Sequence, residues 1–232
     1  MNIINFIKRN FKDSFLKKNK ILRMDANRYD IFDKTRCDFH SDRYRFACEY
    51  TEDKVVLDCA SGLGYGANIL KNLGRAKAVY GLEIDKLAVQ YARDIYGANS
   101  IYFKQGSILN IPFEDCKFDI FTSFETIEHI ENEELQFHEV KRVLKQDGLY
   151  ILSTPNDWED DSHNPYHVRR YTYSYLQQIL SKNFQILAIY NQNSGTPNRK
   201  QNHNLPRSIC KTNKNNHHLA ECFIVVCRNN KK

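Results

Sequence analysis

The sequence lacks any long hydrophobic run. Across its 232 residues no window approaches the roughly 20 apolar positions that a membrane-spanning helix needs, so a transmembrane protein is not expected. It also lacks C-x-x-C pairs. The seven cysteines are scattered and odd in number, which argues against a disulfide framework or a zinc–thiolate site and for reduced, mostly buried thiols. The N-terminus has neither an uninterrupted apolar core nor a small-residue cleavage site of the secretory kind, so a cytoplasmic location is expected. Internal repeats are absent. Charge is not extreme either: the net value is +6, with Lys and Arg crowded into the N-terminal segment and residues 198–214, a bias that favours anionic partners without naming one.

What is present suits a single globular domain. Hydrophobic residues make up 41% and charged residues 27% of a chain long enough for a full core. Residues 1–33 read as an N-terminal basic helical extension, because Ile3, Ile4, Ile7, Phe11 and Phe15 recur at helical spacing among Lys and Arg. Such a segment either packs on its own domain or lies on a membrane surface or partner. Residues 34–232 then form the main domain.

From residue 54 onward, short apolar runs alternate with helical patterns. "KVVLDC", "AVYGLEI", "SIYFKQ", "FDIFTSF" and "GLYILST" read as strands; "NILKNL", "KLAVQYARDIY" and "ENEELQFHEVKRVLK" read as the helices between them. This pattern predicts an α/β fold, a doubly wound and mostly parallel sheet. A helix at "YTYSYLQQIL" and strands at "FQILAIY" and "CFIVVCR" follow, with residues 191–219 as a long polar insertion between those two strands.

Ligands of such sheets bind beyond the carboxyl ends of the strands. The first strand ends in "VLDCASGLGYGA", where Gly62, Gly64 and Gly66 permit a sharp turn and a close backbone approach. Gly62, Gly64 and Ala67 also satisfy the G-x-G-x-x-G/A dinucleotide pattern, which admits a nicotinamide oxidoreductase. Asp58 weighs against that reading: a carboxylate just before the turn repels a pyrophosphate and suits an amino group or ordered water. The second strand ends at Glu83, placed to accept from both hydroxyls of a ribose, with Ile84 beside it and Asp85 as the next helix cap. After the third strand, Ser107 either meets an adenine edge or belongs to an ordinary turn, and Ile108 is placed to pack on the ring.

Taken together, these stretches resemble the class I S-adenosylmethionine-dependent methyltransferases over roughly residues 40–190. "VLDCASGLGYG" resembles their glycine-rich first motif, with Ala60 where many members carry glycine. "VYGLEID" resembles the second motif, "GSILNIPFEDCKFDIFTSFETIEHI" the third and fourth, and "EVKRVLKQDGLYILSTPN" the fifth strand with its leading helix. The resemblance implies a seven-stranded Rossmann-like methyltransferase fold with its last strand antiparallel, S-adenosylmethionine as cofactor, and Arg43 and Ser123 in the cofactor-binding set. Ser107 departs from the Asp that the family often uses on the adenine amino group.

"SFETIEHI" carries the candidate chemistry. If "ETIEHI" opens a helix, Glu125, Glu128 and His129 fall at i, i+3 and i+4 on one face. Those groups can hold Mg²⁺, Mn²⁺ or Zn²⁺, or His129 can serve alone as a general base. The E-x-x-E-H element resembles the type 11, ubiquinone-pathway-like O-methyltransferases. "SHNPYHVRRYT" supplies His163 and His167, and its "HVRRYT" resembles the segment that gives small-RNA 2′-O-methyltransferases their last metal-binding histidine. The expected metal set is therefore Glu125, Glu128, His129 and His167, the first three also being the catalytic candidates. A polysaccharide-pathway hydroxyl, or a phosphate on a glycan, is the expected acceptor. Methylation of an RNA 3′ end, and a non-catalytic nucleoside-binding module, are the competing expectations.

Overall fold

Alternation at the level of single residues sets the architecture. In adjacent positions Val56 and Leu57, Ile120 and Phe121, Ile151 and Leu152, and Ile224 and Val225 send one side chain each into two different buried clusters. Strands apolar on both faces need cover on both faces, which the helices supply. The computed structural model describes residues 24–156, 166–196 and 205–230. Most of the N-terminal basic extension, residues 1–23, together with His163, Arg199 and Lys200, lies outside them.

The strands are β1 (Val55–Cys59), β2 (Ala78–Glu83), β3 (Ile101–Gln105), β4 (Phe118–Phe124), β5 (Leu144–Pro155), β6 (Gln185–Asn193), β7 (Ser208–Lys211) and β8 (Cys222–Arg228). They form one eight-stranded sheet in the order β3-β2-β1-β4-β5-β8-β6-β7. The first five pair in parallel, and β8 runs antiparallel between β5 and β6. The expected seven strands become eight because the polar insertion is not all loop: β6 continues to Asn193 and β7 pairs antiparallel with it. Arg207 pins that hairpin to the rest of the domain through Asp38 and Asp42.

Among the described residues five α-helices flank the sheet: α1 (Lys34–Ala47), α2 (Tyr65–Asn72), α3 (Lys86–Tyr96), α4 (Glu133–Val143) and α5 (Tyr173–Asn183). Four begin at a side-chain cap that accepts from a free amide: Asp33, Asp85, Asn132 and Thr172. In α4, Glu133 and Glu134 in the first turn and Lys141 and Arg142 in the last also complement the helix dipole. The exception is α2, which begins at Gly64 directly after the glycine-rich turn and leaves its first amides uncapped by any side chain. Among the described residues no helix is long and apolar enough to cross a membrane.

Candidate active site

Three residues after β1 take left-handed backbone, Ala60 (φ 58°), Gly62 (φ 54°) and Gly64 (φ 86°), and so fold the chain sharply into α2. The turn is tied to β2: Ser61 N–H donates to the Leu82 carbonyl, and Gly62 N–H donates to Glu83 Oε2 at 2.9 Å. Glu83 Oε1 accepts from Asp85 N–H at 3.1 Å. Glu83 thus braces two loops at the end of β2.

Asp58 is buried at the end of β1, in register with Thr122 of β4. Its Oδ1 accepts from Thr122 Oγ1 at 2.9 Å and from the Tyr44 hydroxyl at 3.3 Å, while Oδ2 has no hydrogen-bond partner. Burial pushes this carboxyl up to about 7. Ser61 Oγ and Ser123 Oγ are likewise buried without partners. Three orphaned polar atoms at the ends of β1 and β4 fit a ligand with a polar amino-acid end, since buried groups of this kind are otherwise paired.

At the adenine end, Ser107 Oγ accepts from Leu109 N–H at 3.1 Å and so closes its own turn, with its hydroxyl hydrogen left to donate. Ile108 is buried in the core, whereas Ile84, 64% exposed beside Glu83, offers the apolar surface a flat ring needs. Arg43 is buried. Its Nε donates to Gln192 Oε1 at 2.7 Å, Nη1 lies 3.2 Å from His40 Nδ1, and Nη2 stands 3.6 Å from Glu125 Oε2. Burial, then Arg43, lowers His40 to about 3, so its neutral ring accepts from the guanidinium.

The E-x-x-E-H segment is not one helix face. Glu125 has φ 50°, and only Ile127–His129 makes a 3₁₀ turn, because Ser153 captures the Glu125 backbone through its carbonyl and its Oγ. Glu125 therefore faces Arg43, Ser153 and Cys222 and stands outside the metal-capable group. Although burial opposes it, Arg43 and then His40 hold the Glu125 carboxyl low; burial, and then the Glu125 charge, drive Glu128 well above the ordinary carboxylate range.

Glu128, His129 and His167 do converge, each offering one ligand atom within 4.8 Å of the others. The segment carrying His167 is zipped to this turn: Val168 N–H and Arg169 N–H donate to the Glu128 carbonyl, and His129 Nδ1 lies 2.7 Å from the Tyr166 carbonyl. A carbonyl can only accept, so Nδ1 carries the proton and Nε2 presents a lone pair, 4.0 Å from Glu128 Oε1. Glu128 Oε2 accepts from Thr154, and Oε1 has no hydrogen bond. One carboxylate and two imidazoles suit a divalent cation of the zinc or manganese kind. A small hollow beside them is lined by Thr154, Asn156, His167, Arg170 and Tyr171. A larger cavity, of about 540 Å³ between α1 and the β6–β7 hairpin, shares no residue with this site.

Sequence reasoning missed Tyr44, Ser61 and Thr122. Thr122 was within reach, since pairing "VVLDC" with "FDIFTSF" in parallel sets it opposite Asp58. Tyr44 carried no signal in the sequence.

The family model for the methyltransferase domain matches residues 50–231. A Mycolicibacterium smegmatis protein with the name "Probable S-adenosylmethionine-dependent methyltransferase" is 31% identical over 130 residues, which are 54% of this chain and 49% of that one. The chain spans about half the length of the curated relatives it matches. Among solved structures, Bacillus subtilis YcgJ aligns with a TM-score of 0.61 at 22% identity, over 83% of this chain and 100% of that one. A SAM-dependent methyltransferase from Aquifex aeolicus gives 0.62 at 17% identity, over 89% and 99%. At these identities the structures establish the fold.

Proposed function

The chain belongs to the methyltransferase-domain family, and from that membership we propose that it methylates an oxygen of a small or glycan-type acceptor with S-adenosylmethionine, aided by a divalent cation. The observation that carries the oxygen chemistry is the lock on His129: Nδ1–H is spent on the Tyr166 carbonyl, and Nε2 faces Glu128 and His167. The donor supplies a methyl group already activated by its sulfonium, so the protein has to align the acceptor and take its proton. Glu83, Ile84, Asp58 and the glycine turn hold the nucleoside and the amino-acid end, and Arg43 with Ser123 completes the set. Glu128, His129 and His167 would hold the cation, which would supply a Lewis acid that lowers the acceptor hydroxyl's pKa and lets its proton pass to water.

Two features favour a glycan-type acceptor. Tyr166 and Val168, 73% and 50% exposed, flank His167 with apolar surface on which a sugar ring can rest. Arg207, within the basic stretch 198–214, is spent on Asp38 and Asp42, which leaves less charge for a polyanion. The metal and acceptor are tested together with labelled donor. Exhaustive chelation abolishes transfer and added Mg²⁺, Mn²⁺ or Zn²⁺ restores it; full activity after chelation, with His129→Ala inactive, selects a metal-free His129 base instead. Transfer to a phosphorylated sugar with a shallow salt dependence supports the acceptor class. Transfer to a short RNA, lost when its terminal 2′-hydroxyl is removed, overturns it in favour of RNA 3′-end methylation.

A further inference from the structure

We propose that Tyr44 and Thr122 are a pair of positioning residues that fix the Asp58 carboxylate by donating to the same oxygen, Oδ1, so that Oδ2 is kept for the ammonium of the donor's amino-acid end. The inference rests on S-adenosylmethionine as the ligand and goes beyond it, because Tyr44 comes from α1, before the glycine-rich motif in the chain.

Three observations carry it. The two donors approach from different elements, Thr122 from β4 at 2.9 Å and Tyr44 from α1 at 3.3 Å, and both reach Oδ1. Oδ2 is left buried and unbonded, a state that a carboxylate oxygen avoids unless a ligand or water completes it. Tyr44 itself has no freedom to point elsewhere. Its ring is wedged edge-on against Tyr65 and Phe124 and lies so close to Gly66 that a methyl there would fall 2.0 Å from its Cζ. The absence of a side chain at Gly66 thus makes room for the ring that orients Asp58.

The charge balance requires such orientation. The titratable groups acting on Asp58 or acted on by it are Glu83 from β2, Tyr44 from α1, Tyr65 from α2 and its neighbour Cys59; Arg43 reaches Tyr44 and Tyr65. Thr122 and Tyr44, both neutral, are the groups that favour ionisation of Asp58 against its burial, and Glu83 opposes it. With the carboxyl pushed up to about 7, affinity for a ligand bearing an ammonium rises as the pH rises and levels off above that value.

The test is calorimetry with two ligands: S-adenosylhomocysteine, which keeps the amino-acid end, and 5′-methylthioadenosine, which lacks it. Tyr44→Phe, which retains the ring, is expected to weaken S-adenosylhomocysteine about three- to tenfold, the range of one ordinary hydrogen bond, since at 3.3 Å the contact is long for a bond to a carboxylate. Thr122→Val weakens it further because its bond is shorter, and Thr122→Ser restores it. Both losses vanish with 5′-methylthioadenosine. Between about pH 5.5 and about pH 8.5 the midpoint of the affinity profile moves upward in both weakened variants, since each removes a bond that favours the ionised form. Wild-type binding with unaltered variants, or equal losses for both ligands, overturns the positioning role. A wild-type protein that binds neither ligand overturns the donor assignment itself.

Discussion

Gly66→Ala and Gly62→Ala change two glycines of one motif, the first in α2 and the second in the turn before it, and the structure assigns them different failures. At Gly66 a new Cβ meets the Tyr44 ring at 2.0, 2.2 and 2.6 Å, far inside contact distance. The ring is held on its other sides, so overpacking costs about 1–3 kcal/mol, and displacement of the hydroxyl from Asp58 adds about 1 kcal/mol. Alanine in place of glycine within α2 returns about 1 kcal/mol. The net loss is about 2 kcal/mol, or about 4–8 °C in melting temperature for a chain of this size. At Gly62 nothing lies within 4 Å of the added carbon, and the penalty is the left-handed backbone alone, about 1 kcal/mol. A double-mutant cycle with Tyr44→Ala separates the two. With the ring gone, Gly66→Ala should stabilise by about 1 kcal/mol, a coupling of about 3 kcal/mol, while Gly62→Ala should add independently to within about 0.5 kcal/mol. Thermal and denaturant unfolding of the set gives the numbers. Gly66→Ala equally damaging with or without Tyr44 would refute the close-approach argument.

Other expected outcomes follow from the same turn and its surroundings. Ala60→Gly, at an exposed position with φ 58°, should stabilise the protein by about 0.5 kcal/mol, because relief of the left-handed strain exceeds the added chain entropy; differential scanning calorimetry checks it. Glu83→Ala should weaken S-adenosylhomocysteine by about 2–4 kcal/mol, losing two charge-assisted bonds, and calorimetry showing unchanged affinity would remove Glu83 from the site. Arg207→Ala should lower stability by less than about 1 kcal/mol, since the Arg207–Asp38–Asp42 pairs are partly exposed and screened. Hydrogen exchange should show faster opening of β7 in that variant, and a difference that persists unchanged in high salt would argue against an ionic tether.

The strands and helices that were legible in the sequence are those whose pattern is local and long. "KLAVQYARDIY" and "FDIFTSF" coincide with α3 and β4 residue for residue. The strand Ser208–Lys211 was not legible: four residues with neither a buried face nor alternation become a strand only because β6 offers an edge. The Glu–Glu–His reading failed for a related reason. Spacing of i, i+3 and i+4 defines a face only where the backbone is helical, and a distant residue, Ser153, holds Glu125 out of the helical region. Ile84 and Ile108 differ in exposure, and that difference is set by packing of the two strand ends, which the motifs do not carry. That His167 would join Glu128 and His129 was an expectation from the resemblance of "HVRRYT" to a metal-binding segment; the carbonyl that sets the His129 tautomer was not legible.

The place of β8 bears on how the chain comes to be folded. Residues 222–228 form the strand between β5 and β6, not the edge of the sheet. As the chain emerges in order, β1 to β5 can assemble while the open side of β5 keeps its ladder unfilled, and the β6–β7 hairpin has nothing to join. Only when β8 arrives do the two pieces become one sheet. Until then two unpaired strand edges stand exposed, which makes this the interval of greatest risk for wrong pairing between molecules. A fusion or truncation touching residues 222–228 would therefore disturb assembly of the whole sheet, whereas changes in β7 would disturb only its rim.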